Sequence, residues 1–233
     1  MTDEAISERR KVAERAAALV EPGMRIGLGT GRTAALFIEA LGARIAGGLA
    51  VPAVVATSKA SEAAAKEGGL DVIDMTAGSV PPALDLAIDG ADEMDGQLRL
   101  IKGGGGSLLR EKIVARMAKR FVVIVDHEKQ VATLGRYPLP VEIVPFGWAV
   151  TAARIGAALD VHPQLRTQAG APWVTDNGNL IVDCPLKRID DPDAVAGTLS
   201  AIAGVVEHGL FLTEAHEALV GSHDGVREVH RPA

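Results

Sequence analysis

The chain has 233 residues, enough for one large domain or a medium domain with a small companion. With 48% hydrophobic and 23% charged residues and a formal net charge of −6, it is too apolar for disorder and too acidic for bulk nucleic-acid binding, although a local basic pocket is not excluded. The longest apolar run, Leu49 to Ala56, falls far short of the ~20 residues of a membrane helix. The opening MTDEAISERR has no hydrophobic signal core, and the single Cys184 fits a reducing compartment, so a soluble cytoplasmic protein is expected. Aromatics are scarce at 3%, whereas glycine is in excess at 26 residues, against about 16 at the usual ~7%. Glycine in excess without a repeat should be concentrated where the backbone does something.

From Glu4 to Val20 the pattern is helical and stops at Glu21-Pro22-Gly23. Met24 to Leu28 reads as a strand, and Gly29-Thr30-Gly31-Arg32-Thr33 opens a helix to about Ile45. Val51 to Thr57 reads as a strand, Ser61 to Lys66 as a helix, and Leu70 to Ile73, Leu84 to Asp89 and Leu98 to Lys102 as further strands. Ser107 to Arg120 is helical, and Phe121 to Asp126 is a continuous apolar strand. This alternation predicts an α/β fold with a largely parallel sheet covered on both faces.

Proline then punctuates the chain at 138, 140 and 145, a pattern that should interrupt a central strand. Beyond it come a strand (Val141 to Val144), a helix (Trp148 to Leu159) and a hairpin turning at Asp176-Asn177-Gly178. A helix over Ala194 to Ile202 follows, with Asp191-Pro192 as cap and first turn. The β-α-β-β-α-β order predicts a smaller α+β subdomain. Leu210 to Leu212 and Leu219-Val220 read as strands of a tail returning to the first domain. The predicted division is 1–134 with 208–233, and 135–207.

Open parallel sheets bind ligands at the carboxyl ends of their strands, and three such ends stand out. The first is Gly27-Leu28-Gly29-Thr30-Gly31-Arg32-Thr33, where glycines and a helix N-terminus suit an anion such as phosphate. It is neither the dinucleotide fingerprint, which needs glycine where Arg32 stands, nor the Walker pattern, and a merely tight connection would look the same. The second is Asp89-Gly90-Ala91-Asp92-Glu93, whose clustered carboxylates suit proton transfer or metal binding, or form a solvated turn. The third is Lys102 with Gly103, Gly104, Gly105 and Gly106, a mobile or closely wrapping backbone beside a cation that can neutralise an oxyanion.

Glu111 follows on the next helix, one residue past the slot of a capping box on Ser107, so capping does not account for it. Taken together at one sheet edge, these features favour a small phosphorylated substrate undergoing acid–base chemistry. Lys129, after the strand ending at Asp126, either reaches the same pocket or is solvated. The six histidines lack metal-ligand spacing, His208 and His216 are explained by packing, and Cys184 reads as buried filler. No metal site is predicted.

The segment DLAIDGADEMDGQLRLIKGGGGSLLREKIVA, Asp85 to Ala115, closely resembles the signature of the type A ribose-5-phosphate isomerase family. GLGTGRTAALFIEALG, VVIVDHEKQVATLGRYPLPVEIVPF and TDNGNLIVD resemble the same family in the same order, over nearly the whole chain. The resemblance implies a Rossmann-like domain with a ferredoxin-like insertion, interconversion of ribose 5-phosphate and ribulose 5-phosphate without a cofactor, and a homodimer or homotetramer. It places the general base on Glu111. Proton transfer between sugar oxygens falls to Asp89 or Asp92, and oxyanion stabilisation to Lys102. The implied substrate-binding residues are Thr30, Gly31, Arg32, Thr33, Asp89, Gly90, Ala91, Asp92, Lys102, Gly103, Gly104, Gly105 and Lys129. Arg32 stands where the family often has serine, and Leu109 replaces a common threonine. A sugar-phosphate sensor would need a DNA-binding segment for which too few residues precede the first strand. A coenzyme A transferase would use Glu111 as a nucleophile and form a covalent thioester adduct there.

Overall fold

A computed structural model describes residues 3–78 and 81–232. The chain divides into two compact units, one of Met1–Ala91, Arg110–Lys129 and Thr213–Ala233, the other of Asp92–Leu109 and Gln130–Leu212.

In the first unit, helix α1 (Asp3–Ala17) is followed by β1 (Ile26–Leu28), α2 (Arg32–Ala46), β2 (Val54–Ala56), α3 (Lys59–Glu67) and β3 (Leu86–Asp89). The chain then runs through β4 (Glu93–Met94) and β5 (Leu100–Ile101) of the second unit to α4 (Leu108–Met117), inside which it returns to the first. Strand β6 (Phe121–Asp126) comes next, buried at every residue. Spacing makes the helices: Phe37, Ile38 and Leu41 put one apolar stripe of α2 into the core, and Val12, Ala13, Ala16 and Ala17 do so for α1. Helix α3 starts at Ser58, whose hydroxyl accepts the Ser61 N–H at 3.0 Å.

The second unit continues with β7 (Leu139–Ile143), α5 (Trp148–Leu159), β8 (Gln164–Leu165), β9 (Thr167–Gln168), β10 (Ala171–Pro172), β11 (Leu180–Cys184), α6 (Pro192–Ser200), β12 (Val205–His208) and β13 (Leu210–Phe211). Strands β14 (Glu217–Ser222) and β15 (Gly225–His230) complete the first unit.

The large sheet has the order β15-β14-β6-β3-β1-β2, parallel throughout except at β15. Counted along the chain, its parallel strands stand 2-1-3-4-5, a doubly wound order whose switch point lies between β1 and β3. Leu70 to Ile73, expected as a full strand, contributes one parallel bridge, Val54 to Val72, outside β2. That bridge extends the order toward 3-2-1-4-5-6, the Rossmann-like arrangement.

In the second unit β12-β7-β11-β8 form an antiparallel sheet, the fourth, first, third and second strands of a β-α-β-β-α-β unit, which is ferredoxin-like. Leu139, Val141 and Ile143 of β7 and Leu180, Val182 and Cys184 of β11 alternate onto one face, where Ile155 of α5 and Leu199 of α6 complete a core. The prolines do not keep β7 at an edge: Pro140 lies inside it, opposite Asp183, and its carbonyl accepts the Gly209 N–H at 2.8 Å. Lacking an N–H costs little there, because the β12 ladder is already ending at His208.

Leu100–Ile101, expected as a strand of the large parallel sheet, instead forms an antiparallel trio with β4 and β13. Lys102 and its glycines therefore follow a strand of the second unit, which corrects their expected place at the edge of the parallel sheet. The edge strand β15 had no counterpart among the sequence expectations.

Candidate active site

In the first unit the ends of β1 and β3 lie side by side, Leu28 opposite Ile88. Gly29 donates its N–H to the Ile88 carbonyl at 2.9 Å. A Cβ on Gly29 would fall 2.1 Å from Asp89 Oδ1 and 2.6 Å from Asp89 Cα, so the close approach requires glycine. Asp89, 3% exposed, accepts on that same oxygen the N–H of Thr30 at 3.0 Å and of Gly90 at 2.7 Å. The Thr30 hydroxyl lies 2.7 Å from that of Thr57 and 3.2 Å from that of Ser61, while Ser61 Oγ donates to the Gly29 carbonyl at 2.6 Å. These bonds fix the shape of the loop before any ligand arrives.

Helix α2 then begins with Gly31 at its N-cap, φ 106°, and no side chain caps it. Arg32 is exposed and Thr33 half-buried at this terminus, where N–H groups and the positive dipole end favour an anion. Glu111 sits in the first turn of α4 and is only 4% exposed, with its neighbour Lys112 also buried. Lys129 closes a short 3-10 turn, His127–Lys129, after β6 and is half-buried.

In the second unit, Asp92 Oδ2 accepts the Gly104 N–H at 2.7 Å. Lys102, 2% exposed, holds its ammonium 5.5 Å above the Phe211 ring. Gly103 (φ 108°) and Gly106 (φ 80°) adopt left-handed backbone, and a Cβ on Gly104 would lie 2.5 Å from Asp92 Oδ1 and 2.6 Å from the Tyr137 hydroxyl. Burial, and then the Asp92 carboxylate, push the Tyr137 hydroxyl above its ordinary pKa.

Sequence reasoning passed over two residues here. Arg166 binds Asp183 in a fork, Nε to Oδ2 at 2.9 Å and Nη2 to Oδ1 at 2.5 Å, and gives its remaining nitrogen to the carbonyls of Gly103 at 2.8 Å and Gly104 at 3.2 Å. Only their sheet positions could have suggested them: Arg166 immediately follows β8 and Asp183 pairs with Gln164.

The structure thus unites Thr30 to Thr33 with Asp89 and Gly90 in the first unit, and Asp92 with Lys102 to Gly105 in the second. Glu111 and Lys129 belong to the first unit. Cys184 and His208 are buried, and His208 Nδ1 accepts the Leu210 N–H at 3.3 Å. His216, expected to be explained by packing, is instead exposed, and its Nδ1 accepts the Phe121 N–H at 3.0 Å at the start of β6.

In the first unit, a doubly wound sheet with an anion-suited helix terminus and the buried Asp89 carboxylate at its switch point marks an α/β fold suited to an anionic ligand. Comparison with known proteins makes the class specific. The family described as Ribose 5-phosphate isomerase A (phosphoriboisomerase A) matches residues 53–225, and the chain belongs to that family. It is 51% identical over 227 residues to Ribose-5-phosphate isomerase A of Roseiflexus castenholzii, covering 96% of this chain and 95% of that one. Identity to the Parvibaculum lavamentivorans protein of the same name is 45% over 224 residues, covering 94% and 95%. Among solved structures, ribose 5-phosphate isomerase from Plasmodium falciparum superposes with a TM-score of 0.92 at 31% identity, covering 98% of this chain and all 100% of that one. A D-ribose-5-phosphate isomerase in complex with phospho-erythronic acid gives 0.91 at 36% identity, covering 97% and 98%.

Proposed function

We propose that this chain interconverts D-ribose 5-phosphate and D-ribulose 5-phosphate through an enediolate, with Glu111 as general base. The observation that carries the reading is a carboxylate, 4% exposed, in the first turn of the helix that directly follows the glycine run, in a chain of this family.

In the forward direction Glu111 takes the proton from C2 of the open-chain aldose and returns it to C1. Electron density moves onto O1 as the C2 proton leaves. Lys102 and N–H groups of the loop that follows it stabilise that oxyanion. A proton must also leave O2 and another reach O1, and Asp89 and Asp92 are the carboxylates available for this transfer and for ring opening. Thr30, Gly31, Arg32 and Thr33 at the α2 terminus, with Gly90, Ala91 and Lys129, hold the phosphorylated substrate. Binding energy gained at the phosphate fixes C1 and C2 against the base. Every step is a proton transfer, so no redox cofactor is required.

A coupled assay from ribose 5-phosphate to ribulose 5-phosphate tests the reading. Glu111→Gln should still bind the sugar phosphate and lose ~10²–10⁴-fold in kcat; near-normal turnover overturns the base assignment. A homodimer in the cytoplasm completes the proposal. No helix among the described residues is long and apolar enough to cross a membrane. Mass measurement by light scattering should give twice the chain mass, with a tetramer as the family's other state and a monomer as the contrary result.

A further inference from the structure

We propose that Arg166, held by Asp183, is a positioning residue for the isomerisation: it sets the direction of the glycine-run N–H groups by gripping the carbonyls behind them. The inference rests on the functional reading above and adds residues to which that reading gives no part.

The geometry follows from peptide planarity. In a trans peptide the C=O of one residue and the N–H of the next share a plane and point in opposite directions. The peptide joining Gly103 to Gly104 is held at both ends, its oxygen by Arg166 at 2.8 Å and its N–H by Asp92 Oδ2 at 2.7 Å. The peptide joining Gly104 to Gly105 is held at its oxygen by the same Arg166 nitrogen at 3.2 Å. Its N–H, on Gly105, is therefore turned away from the guanidinium, and Gly105 is the exposed member of the run. The Gly106 N–H folds back onto the Gly103 carbonyl at 3.0 Å, closing the turn.

Glycines have no side chains to hold such a loop in one shape, and four in succession carry a large entropy of disorder. An external clamp is what gives such a run one shape and the Gly105 N–H one direction. Arginine suits the task because its planar fork binds the Asp183 carboxylate with one edge and leaves a third nitrogen aimed at the loop. Its charge also polarises the two peptides it grips, which strengthens their N–H groups as donors. The side chain is 13% exposed and Asp183 25%, so water competes only weakly.

The experiment measures kcat and KM for ribose 5-phosphate, the thermal midpoint, and calorimetric binding of phospho-erythronic acid, for wild type, Arg166→Gln, Arg166→Lys, Asp183→Asn and the Arg166→Gln/Asp183→Asn double variant. Arg166→Gln should lower kcat at least about tenfold, less than the ~10²–10³-fold cost of deleting an oxyanion donor outright. KM should stay within about threefold, because the phosphate loop carries ground-state binding. Arg166→Lys should recover only part of the loss, since one ammonium cannot serve carboxylate and carbonyls together. The double variant should be no slower than Arg166→Gln alone, as members of one unit are non-additive.

Unchanged kcat in any folded Arg166 variant overturns the proposal, as does full rescue by lysine or a double variant whose losses multiply. Should Arg166→Gln fail to fold, Arg166→Lys and Asp183→Asn carry the same test. A wild-type protein that binds phospho-erythronic acid but does not isomerise ribose 5-phosphate sinks the functional reading and the positioning role with it; an active wild type with indifferent variants sinks the positioning role alone.

Discussion

Asp89 presses one carboxylate oxygen against the bare Cα of Gly29 and receives there the N–H of Thr30 at 3.0 Å. Two strand ends that are sixty residues apart in the chain are thereby joined through a site that has room for no methyl group. This contact couples the phosphate-suited loop to the carboxylate loop, and substitutions at either residue should disturb both.

Gly29→Ala is the direct probe. Its methyl would meet Asp89 Cα as well as the carboxylate, and backbone cannot swing aside as a side chain can. We expect kcat/KM to fall by more than about tenfold, through misplacement of reacting groups, with lowered thermal stability. A folded variant with wild-type kinetics would contradict the coupling.

Gly221→Ala should separate stability from activity. The added Cβ would lie 2.5 Å from Val12 Cγ2 and 2.9 Å from the Glu8 carbonyl, forcing α1 off β14. Overpacking of this kind costs about 1–3 kcal/mol. Denaturant titration should show that loss while kcat of the folded enzyme stays unchanged, and Val12→Ala in the same chain should recover part of it.

Arg9 and Asp126 form a buried ion pair at 2.8 Å, joining α1 to the end of β6. Arg9→Ala leaves a carboxylate in the interior, and removing one partner of such a pair costs roughly 3–5 kcal/mol. Chemical denaturation reads this directly; a loss below ~1 kcal/mol would class the pair with exposed ion pairs.

Cys184 supplies a pH dependence. Burial, then the Asp183 carboxylate, push its thiol from 9.0 up to about 12. A group with a raised folded pKa contributes stability that is whole below its unfolded pKa and lost as pH climbs through the folded one. Between about 9 and about 12 the unfolded chain releases this proton and the folded chain keeps it, so stability declines with rising pH. Cys184→Ala should flatten that decline, and the native thiol should resist a disulfide reagent at pH 8 until denaturant is added.

Much of the fold could be read from sequence because its signals are local. The extents of β6 and α5 were expected residue for residue, since an uninterrupted apolar run and a helical stripe each carry their own boundaries. The Asp191-Pro192 start of α6 is likewise local: the Asp191 carboxylate accepts the Ala194 N–H at 3.0 Å. Pairing is not local. Nothing in Leu100–Ile101 says whether it joins β3 or β13, and nothing around Pro140 says where the β12 ladder stops. The candidate site divides the same way. Glycines, Asp89 and Glu111 announce themselves by composition and by position after strands, whereas Arg166 and Asp183 acquire a role only when β8 and β11 come together.

The path of the chain through its two units bears on how the protein is made. It crosses between them four times, and its last crossing, at Thr213, brings β14 to an inner place between β6 and β15. During synthesis β6, apolar and ready to pair, therefore waits with one edge open until nearly a hundred later residues have left the ribosome. An open strand of this composition is a template for pairing with neighbouring nascent chains. The same late arrival that seals the large sheet thus sets the interval in which the growing polypeptide most needs a chaperone.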